Sequence, residues 1–281
     1  MRYGVHVSIA SGFAGAVHKA KELGCDAFQI FAGNPRGWAR KPLPDSEAGR
    51  FREALAQSGL GPVVVHLSYL PNPASLDEAL YERSKAALRE DFERANRLGA
   101  AYFVLHPGAC PREKRDEGLD RAARALREAL AAVDGPTMLL LENQGGRSGE
   151  IGADLEELAG LAGGFDAARV GICLDTCHAF VAGYDLRTEA GWRDVLAFLE
   201  GRLGPGRLPV IHANDAKGAL GSGLDRHEHI GLGALGEGAF AAMGRIPSLA
   251  DRTVILETPQ DDPADDRRNL GRIRALTAGE G

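Results

Sequence analysis

The feature that most constrains this chain is a repeated alternation. Eight short runs rich in Val, Ile, Leu and Phe, "YGVHVSI", "AFQIFAG", "VVVHLS", "YFVLHPG", "MLLLENQ", "VGICLDTC", "VIHAND" and "VILETP", are separated by longer segments of helical period. A helix after each strand returns the chain to the start of the next strand, so the alternation predicts βαβ units and a parallel sheet. In "SLDEALYERSKAALREDFERANRLG" apolar residues recur every three or four positions, and Gly99 supplies the C-terminal stop. Eight strand–helix pairs within 281 residues predict an α/β fold, a (β/α)8 TIM barrel, with a doubly wound open sheet as the alternative. No linker, low-complexity tract or long charge block interrupts the pattern, which predicts one domain over residues 1–281.

The last residues of these runs carry the chemistry. His66, His106, Glu142, Asp175, His212 and Glu257 end six successive runs, and each is a residue type that binds divalent metals. Any one of them alone reads as a cap or a loop residue. In a barrel, however, the C-terminal ends of the strands open onto one rim where active sites are built, so six such endings describe one cluster better than six coincidences. Pro107 and Gly108 after His106, and Pro259 two residues after Glu257, stop those strands at the ligand positions. "DTCH" adds His178; read as extended chain, Asp175 and His178 point to opposite sides and would serve different ions. "LDRHEHIGLG" adds Asp225 and His227, which share a face when extended and would grip one ion together, and leaves His229 as a polar loop residue.

Nine donors, five His and four carboxylates, exceed the three protein ligands and one water of a catalytic zinc site, which implies two or three ions. Imidazole and carboxylate without thiolate suit Zn2+ or Mn2+. Ions clustered a few ångströms apart suit phosphodiester hydrolysis, because they generate hydroxide, neutralise the phosphate and stabilise the leaving oxygen. The formal net charge of −6 argues against coating of nucleic acid by bulk attraction, so a polyanion must be held by a local site. Cys25, Cys110, Cys173 and Cys177 form no CxxC pair and read as reduced, buried thiols, with packing the role of Cys173 and Cys177. The start lacks a basic segment followed by an apolar run, and no stretch of 18 uninterrupted apolar residues occurs, so a cytosolic, cytoplasmic protein is expected.

Through "GVHVSIASG", "NPRGW", "HLSYL", "HPG", "EN", "DTCHAFVAGYDLRT", "HANDAK", "LDRHEHIGLG" and "ILETP" the chain resembles the endonuclease IV family of apurinic/apyrimidinic (AP) endonucleases. The resemblance implies a zinc-dependent TIM barrel that cuts double-stranded DNA 5′ to abasic sites in base excision repair. The products would be a 3′-hydroxyl and a 5′-deoxyribose phosphate, and no membrane or obligate protein partner is implied. It further implies three zinc ions per chain, with manganese admissible at one position. His66, His106 and Glu142 would hold the first. Glu142, the catalytic bridge, would share the second with Asp175, His212 and Glu257, and His178, Asp225 and His227 would hold the third. Arg36, Tyr69 and Leu70 would contact DNA and enter the base stack.

The chain departs from the family pattern at Gln144 and Gly145, where Thr and Ala are frequent, at Gly223, where Arg is common, and at Leu67, in place of a smaller or polar residue. These departures bear on DNA contact and rate. His6 is either a partner of the ligands or a core residue, and His18 reads as surface. Two rival readings are a sugar isomerase or epimerase on the same barrel and a non-catalytic DNA- or metal-binding protein.

Overall fold

In the computed structural model, which describes residues 1–278, all eight runs are parallel strands of one sheet. They are β1 (Arg2–Val5), β2 (Phe28–Phe31), β3 (Val63–His66), β4 (Tyr102–Leu105), β5 (Met138–Glu142), β6 (Val170–Asp175), β7 (Val210–His212) and β8 (Thr253–Leu256). Pairing runs without interruption from β2 to β8 and from β8 to β1. The seam between β1 and β2 is closed by a parallel bridge of His6 with Gln29, where the Val7 N–H donates to the Gln29 carbonyl at 2.7 Å. The open-sheet alternative is thereby excluded, and the protein is a (β/α)8 barrel.

The helices are α1 (Phe13–Leu23), α2 (Asp45–Ser58), α3 (Glu78–Leu98), α4 (Arg115–Ala132), α5 (Leu155–Gly163), α6 (Thr176–Ala182), α7 (Glu189–Leu203), α8 (Gly236–Gly244) and α9 (Asp265–Thr277). Helix α3 occupies the segment that the periodicity predicts. Its Asp77 side chain accepts from the Leu80 N–H at 2.7 Å, and Gly99 ends it in the left-handed region at φ 74°. Helix α6 is an insertion after β6, and α7 carries the chain back to β7. None of the helices described is long and apolar enough to cross a membrane.

Two apolar layers follow from strand alternation. Val63, Val65, Phe103, Leu105, Leu139, Leu141, Ile172, Leu174, Ile211, Val254 and Leu256 belong to the shell between sheet and helices. The residues between them, Val64, Val104, Leu140, Cys173, Val210 and Ile255, join Ala27 in a separate cluster inside the barrel. All six are buried completely, each aliphatic side chain contributing roughly 1.5–3 kcal/mol. That inner cluster is the floor on which the site stands.

Candidate metal centre and nucleic-acid cleft

Because side chains alternate with a period of two, the residue two places beyond each member of the floor also points inward. From Val64, Val104, Leu140, Cys173, Val210 and Ile255 this step leads to His66, His106, Glu142, Asp175, His212 and Glu257. His66, Glu142, Asp175 and His212 are the last residues of their strands, while His106 and Glu257 lie one residue beyond. The same step from Ala27 leads to Gln29. These residues form a polar storey directly above an apolar one.

The donor atoms gather into groups whose members lie within 4.8 Å of one another: His66, His106 and Glu142; Glu142, Asp175, His212 and Glu257; and His178, Asp225 and His227. Overlapping groups, His66 with His212 and Glu257, and Asp175 with Cys177 and His227, also meet that distance. Glu142, fully buried, joins two of them. Its Oε2 is 2.9 Å from His66 Nε2 and 3.1 Å from His106 Nε2, and its Oε1 is 2.9 Å from His212 Nδ1. In the third group Asp225 Oδ1 is 3.1 Å from His178 Nε2 and 3.6 Å from His227 Nε2.

Each of the five histidines is oriented through its other ring nitrogen. Nδ1 of His66, His178 and His227 faces the carbonyl oxygens of Leu67, Asn143 and Glu257 at 2.6, 2.9 and 2.9 Å. A carbonyl only accepts, so these nitrogens carry the proton and Nε2 offers its lone pair to the group. His106 Nδ1 faces Gln144 Oε1 at 3.1 Å, an orientation fixed because Gln144 Nε2 donates to the carbonyls of Gly108 and Ile151 at 2.8 and 2.7 Å. His212 is reversed: its Nε2 meets Gln29 Oε1 at 2.8 Å, while Gln29 Nε2 donates to Glu257 Oε1 at 2.6 Å, leaving Nδ1 toward Glu142. A lone pair directed inward with a hydrogen bond behind it is the arrangement that metal-binding imidazoles need.

The electrostatics point the same way. Burial alone would lower the pKa of His178, but Asp175 and Asp225 outweigh it and hold the group well above the usual histidine range. Burial would likewise raise Glu142, yet His212 and His106 hold it well below the usual carboxylate range. A cavity that draws protons onto buried imidazoles is short of positive charge, and divalent cations would supply that charge. The residues therefore fit a cluster of divalent ions.

The sequence reading of "DTCH" as extended chain is corrected. Asp175 is the N-cap of α6, its Oδ1 accepting from the His178 N–H at 2.8 Å, so one helical turn, not strand alternation, carries His178 away from Asp175. Asn143 and Asn214, which the sequence reading passed over, brace the same aspartate: Asn143 exchanges hydrogen bonds with its backbone at 2.6 and 3.0 Å, and Asn214 Nδ2 donates to its Oδ2 at 2.6 Å. Gln29 was also missed. Its only signal was its place two residues after Ala27 in "AFQIF", and glutamine does not suggest a ligand. His227 does lie on extended chain, His227–Glu228 pairing with Asp215–Ala216 in a two-residue antiparallel ribbon, while Asp225 lies two residues before it, outside any strand.

His229 lies in none of the donor groups, its Nδ1 meeting Asn269 Nδ2 at 2.9 Å beside α9. His6 bonds Gln29 Nε2 at 3.0 Å and is a partner of the ligand positions, with burial lowering its pKa, whereas His18 is exposed. All four cysteines are free and buried, with burial pushing the Cys173 thiol up to about 12. Leu67 packs its side chain in the core and contributes its carbonyl to His66 Nδ1. Gly145 and Gly223 lie together. A Cβ at Gly145 would come within 3.1 Å of Val181 Cγ2 and 3.4 Å of Asp225 Cβ, and Gly223 has φ +64°, where an arginine would be strained.

The groups open into a cleft of about 720 Å3 whose lining includes Arg36, Tyr69 and Arg226. Tyr69 is 72% exposed and meets Phe31 edge-on at 5.2 Å. Leu70 lines an adjoining pocket of about 250 Å3 that shares His66, Tyr69 and His106 with the cleft.

Comparison with known proteins agrees with this geometry. The family described as xylose isomerase-like TIM barrel matches residues 17–276. A "Probable endonuclease 4" of Methanoculleus marisnigri is 47% identical over 97% of this chain and 98% of its own length. Endonuclease IV from Thermus thermophilus superposes with a TM-score of 0.87 at 42% identity, covering 99% of both chains. A D-tagatose 3-epimerase-like protein superposes with a TM-score of 0.72 at 21% identity, covering 99% of this chain and 98% of its own, a likeness of fold alone. With full-length relatives at this identity, the chain belongs to the endonuclease IV family of xylose isomerase-like TIM barrels.

Proposed function

We propose that this protein is a zinc-dependent AP endonuclease of base excision repair that hydrolyses the phosphodiester 5′ to an abasic site in duplex DNA, leaving a 3′-hydroxyl and a 5′-deoxyribose phosphate. The observation that carries the reading is Glu142, a carboxylate without exposure whose two oxygens face different histidine pairs beneath a cleft bordered by arginines. In this reading His66, His106 and Glu142 hold one zinc, Glu142, Asp175, His212 and Glu257 a second, and His178, Asp225 and His227 a third; five imidazoles among nine donors favour zinc, with manganese admissible at one position. Divalent ions bound there would supply an acidified water as nucleophile and positive charge for the phosphate oxygens.

The chain's own residues do the rest. Glu142 orients both donor groups that it joins. Gln29 and Gln144 hold His212 and His106 in the tautomers that keep the inward nitrogens unprotonated. Arg226 meets backbone phosphates at the cleft, where Arg36 contacts DNA and enters the base stack. Tyr69 and Leu70 fill the stack that an extruded nucleotide leaves. Donors sunk inside a barrel reach a phosphodiester only when the duplex is kinked or a nucleotide is extruded, and extrusion costs least where a base is already missing.

Incubating the protein with a duplex that carries one abasic-site analogue, with and without a chelator, tests the proposal. Cleavage on the 5′ side, lost with chelator and restored by zinc, is expected. Intact DNA together with epimerisation or isomerisation of a keto-sugar would overturn it, and metal analysis should return about three zinc ions per chain.

A further inference from the structure

Residues 32–44, between β2 and α2, and 67–77, between β3 and α3, carry no regular structure, yet they bear Arg36 and Tyr69. Between them lies a guanidinium that belongs to none of the donor groups. The side chains of Arg40 and of Asp91 on α3 are each 1% exposed. Arg40 Nε and Nη2 donate to Asp91 Oδ1 and Oδ2 at 2.9 and 3.0 Å, a two-pronged pairing that fixes the plane of the guanidinium. Its remaining donors reach the loops. Nη2 donates to Ser68 Oγ at 2.7 Å, immediately before Tyr69, and Nη1 donates to the Asn34 carbonyl at 3.4 Å and to the Gly37 carbonyl. Asn34 Oδ1 in turn accepts from the Arg36 N–H at 3.0 Å. One turn along α3, Arg94 donates to the carbonyls of Ala32 and Lys41, near the two ends of the first loop. Arg40 does not line the cleft; it borders a separate cavity behind the loops.

We infer that Arg40, paired with Asp91, is a positioning residue that holds the Arg36 loop and the Tyr69 loop in one joint arrangement and thereby sets the affinity for damaged DNA. The inference rests on the assignment of Arg36 and Tyr69 as DNA contacts. A planar fork is required, because a lysine ammonium lacks the geometry to hold the carboxylate in two-pronged fashion while reaching both loops. Loops tied in advance lose less freedom on binding, and that saving appears in affinity, not in the chemical step.

The test uses Arg40→Lys and the apolar double variant Arg40→Met with Asp91→Leu. The second avoids leaving one buried charge alone, a change that on its own can unfold a protein. Zinc content, kcat and KM on an abasic duplex, and hydrogen exchange over residues 33–39 and 67–72 are measured beside Arg36→Ala and Tyr69→Ala controls. The double variant should keep the parent's zinc and a kcat within about threefold, raise KM about tenfold, and speed exchange in both loops together, with Arg40→Lys in between. Faster exchange in one loop only, or in neither, overturns the inference, as does an unchanged KM when the controls raise theirs. If the controls also leave KM unchanged, the DNA-contact assignment falls and with it the claim on affinity, while exchange still decides whether the two loops are tied.

Discussion

Val64, Val104, Leu140, Cys173, Val210 and Ile255 line the inside of the barrel at one level; His66, His106, Glu142, Asp175, His212 and Glu257 line it two residues further along the same strands. Backbone, sheet and direction are shared, and only the side chains differ. The lower level is dry and close-packed, so its members are interchangeable to the extent that volume is kept. The upper level holds carboxylates and imidazoles, buried at His66, Glu142, Asp175 and His212 and half-buried at His106 and Glu257, whose cost is offset by partners at 2.6–3.1 Å, so its members are fixed by atom and by tautomer. The comparison teaches that an apolar storey gives a polar one its rigidity: the rings above cannot sink into a space that is already full.

That contrast can be broken most severely at Glu142. Glu142→Gln keeps shape but removes the charge shared by two donor groups, so turnover on an abasic duplex should fall by roughly two powers of ten or more while DNA binding survives, as single-turnover kinetics and a binding titration would report. Near-normal cleavage would remove Glu142 from its bridging role.

A smaller effect separates the two histidines of "DRHEH". His227→Ala should lose about one zinc per molecule and most activity, whereas His229→Ala, whose ring faces Asn269, should keep its full metal content. Metal analysis and cleavage on the same samples decide this. Equal loss from both variants would redraw the third donor group.

The smallest effect lies one storey down. Ile255→Val deletes one methylene directly below Glu257 and should cost about 1 kcal/mol in denaturant unfolding, with zinc content unchanged. A loss of metal from that variant would mean that the two levels are not separable.

The strand ends were legible in the sequence because both signals are local: an apolar run marks the strand, and its final residue is a ligand type. Helix α3 was legible for the same reason, through its apolar period and Gly99. Helix α6 was not. Asp175 serves both as a donor and as an N-cap, and the ligand reading of "DTCH" concealed the capping signal. Gln29, Asn143 and Asn214 escaped because amides are ordinary residues until their acceptors are known. The Arg40–Asp91 pair spans 51 residues of sequence, and nothing in "GWARKP" or "REDFER" signals that the two meet. Gly145 and Gly223, noted separately in the sequence, are neighbours only in the fold.

The period of two has a last consequence, for changes in chain length. Deleting one residue within Met138–Glu142 while holding the start of the strand in register would turn Glu142 toward the helices and bring an apolar neighbour to face the axis, so a single gap would do what no single substitution there can. Insertions and deletions are therefore barred from the barrel strands, even where aliphatic exchanges that keep volume are tolerated. They are admissible in segments such as 204–206, between α7 and β7, where the backbone turns outside any helix or strand and added length can loop outward without changing which way any strand residue faces.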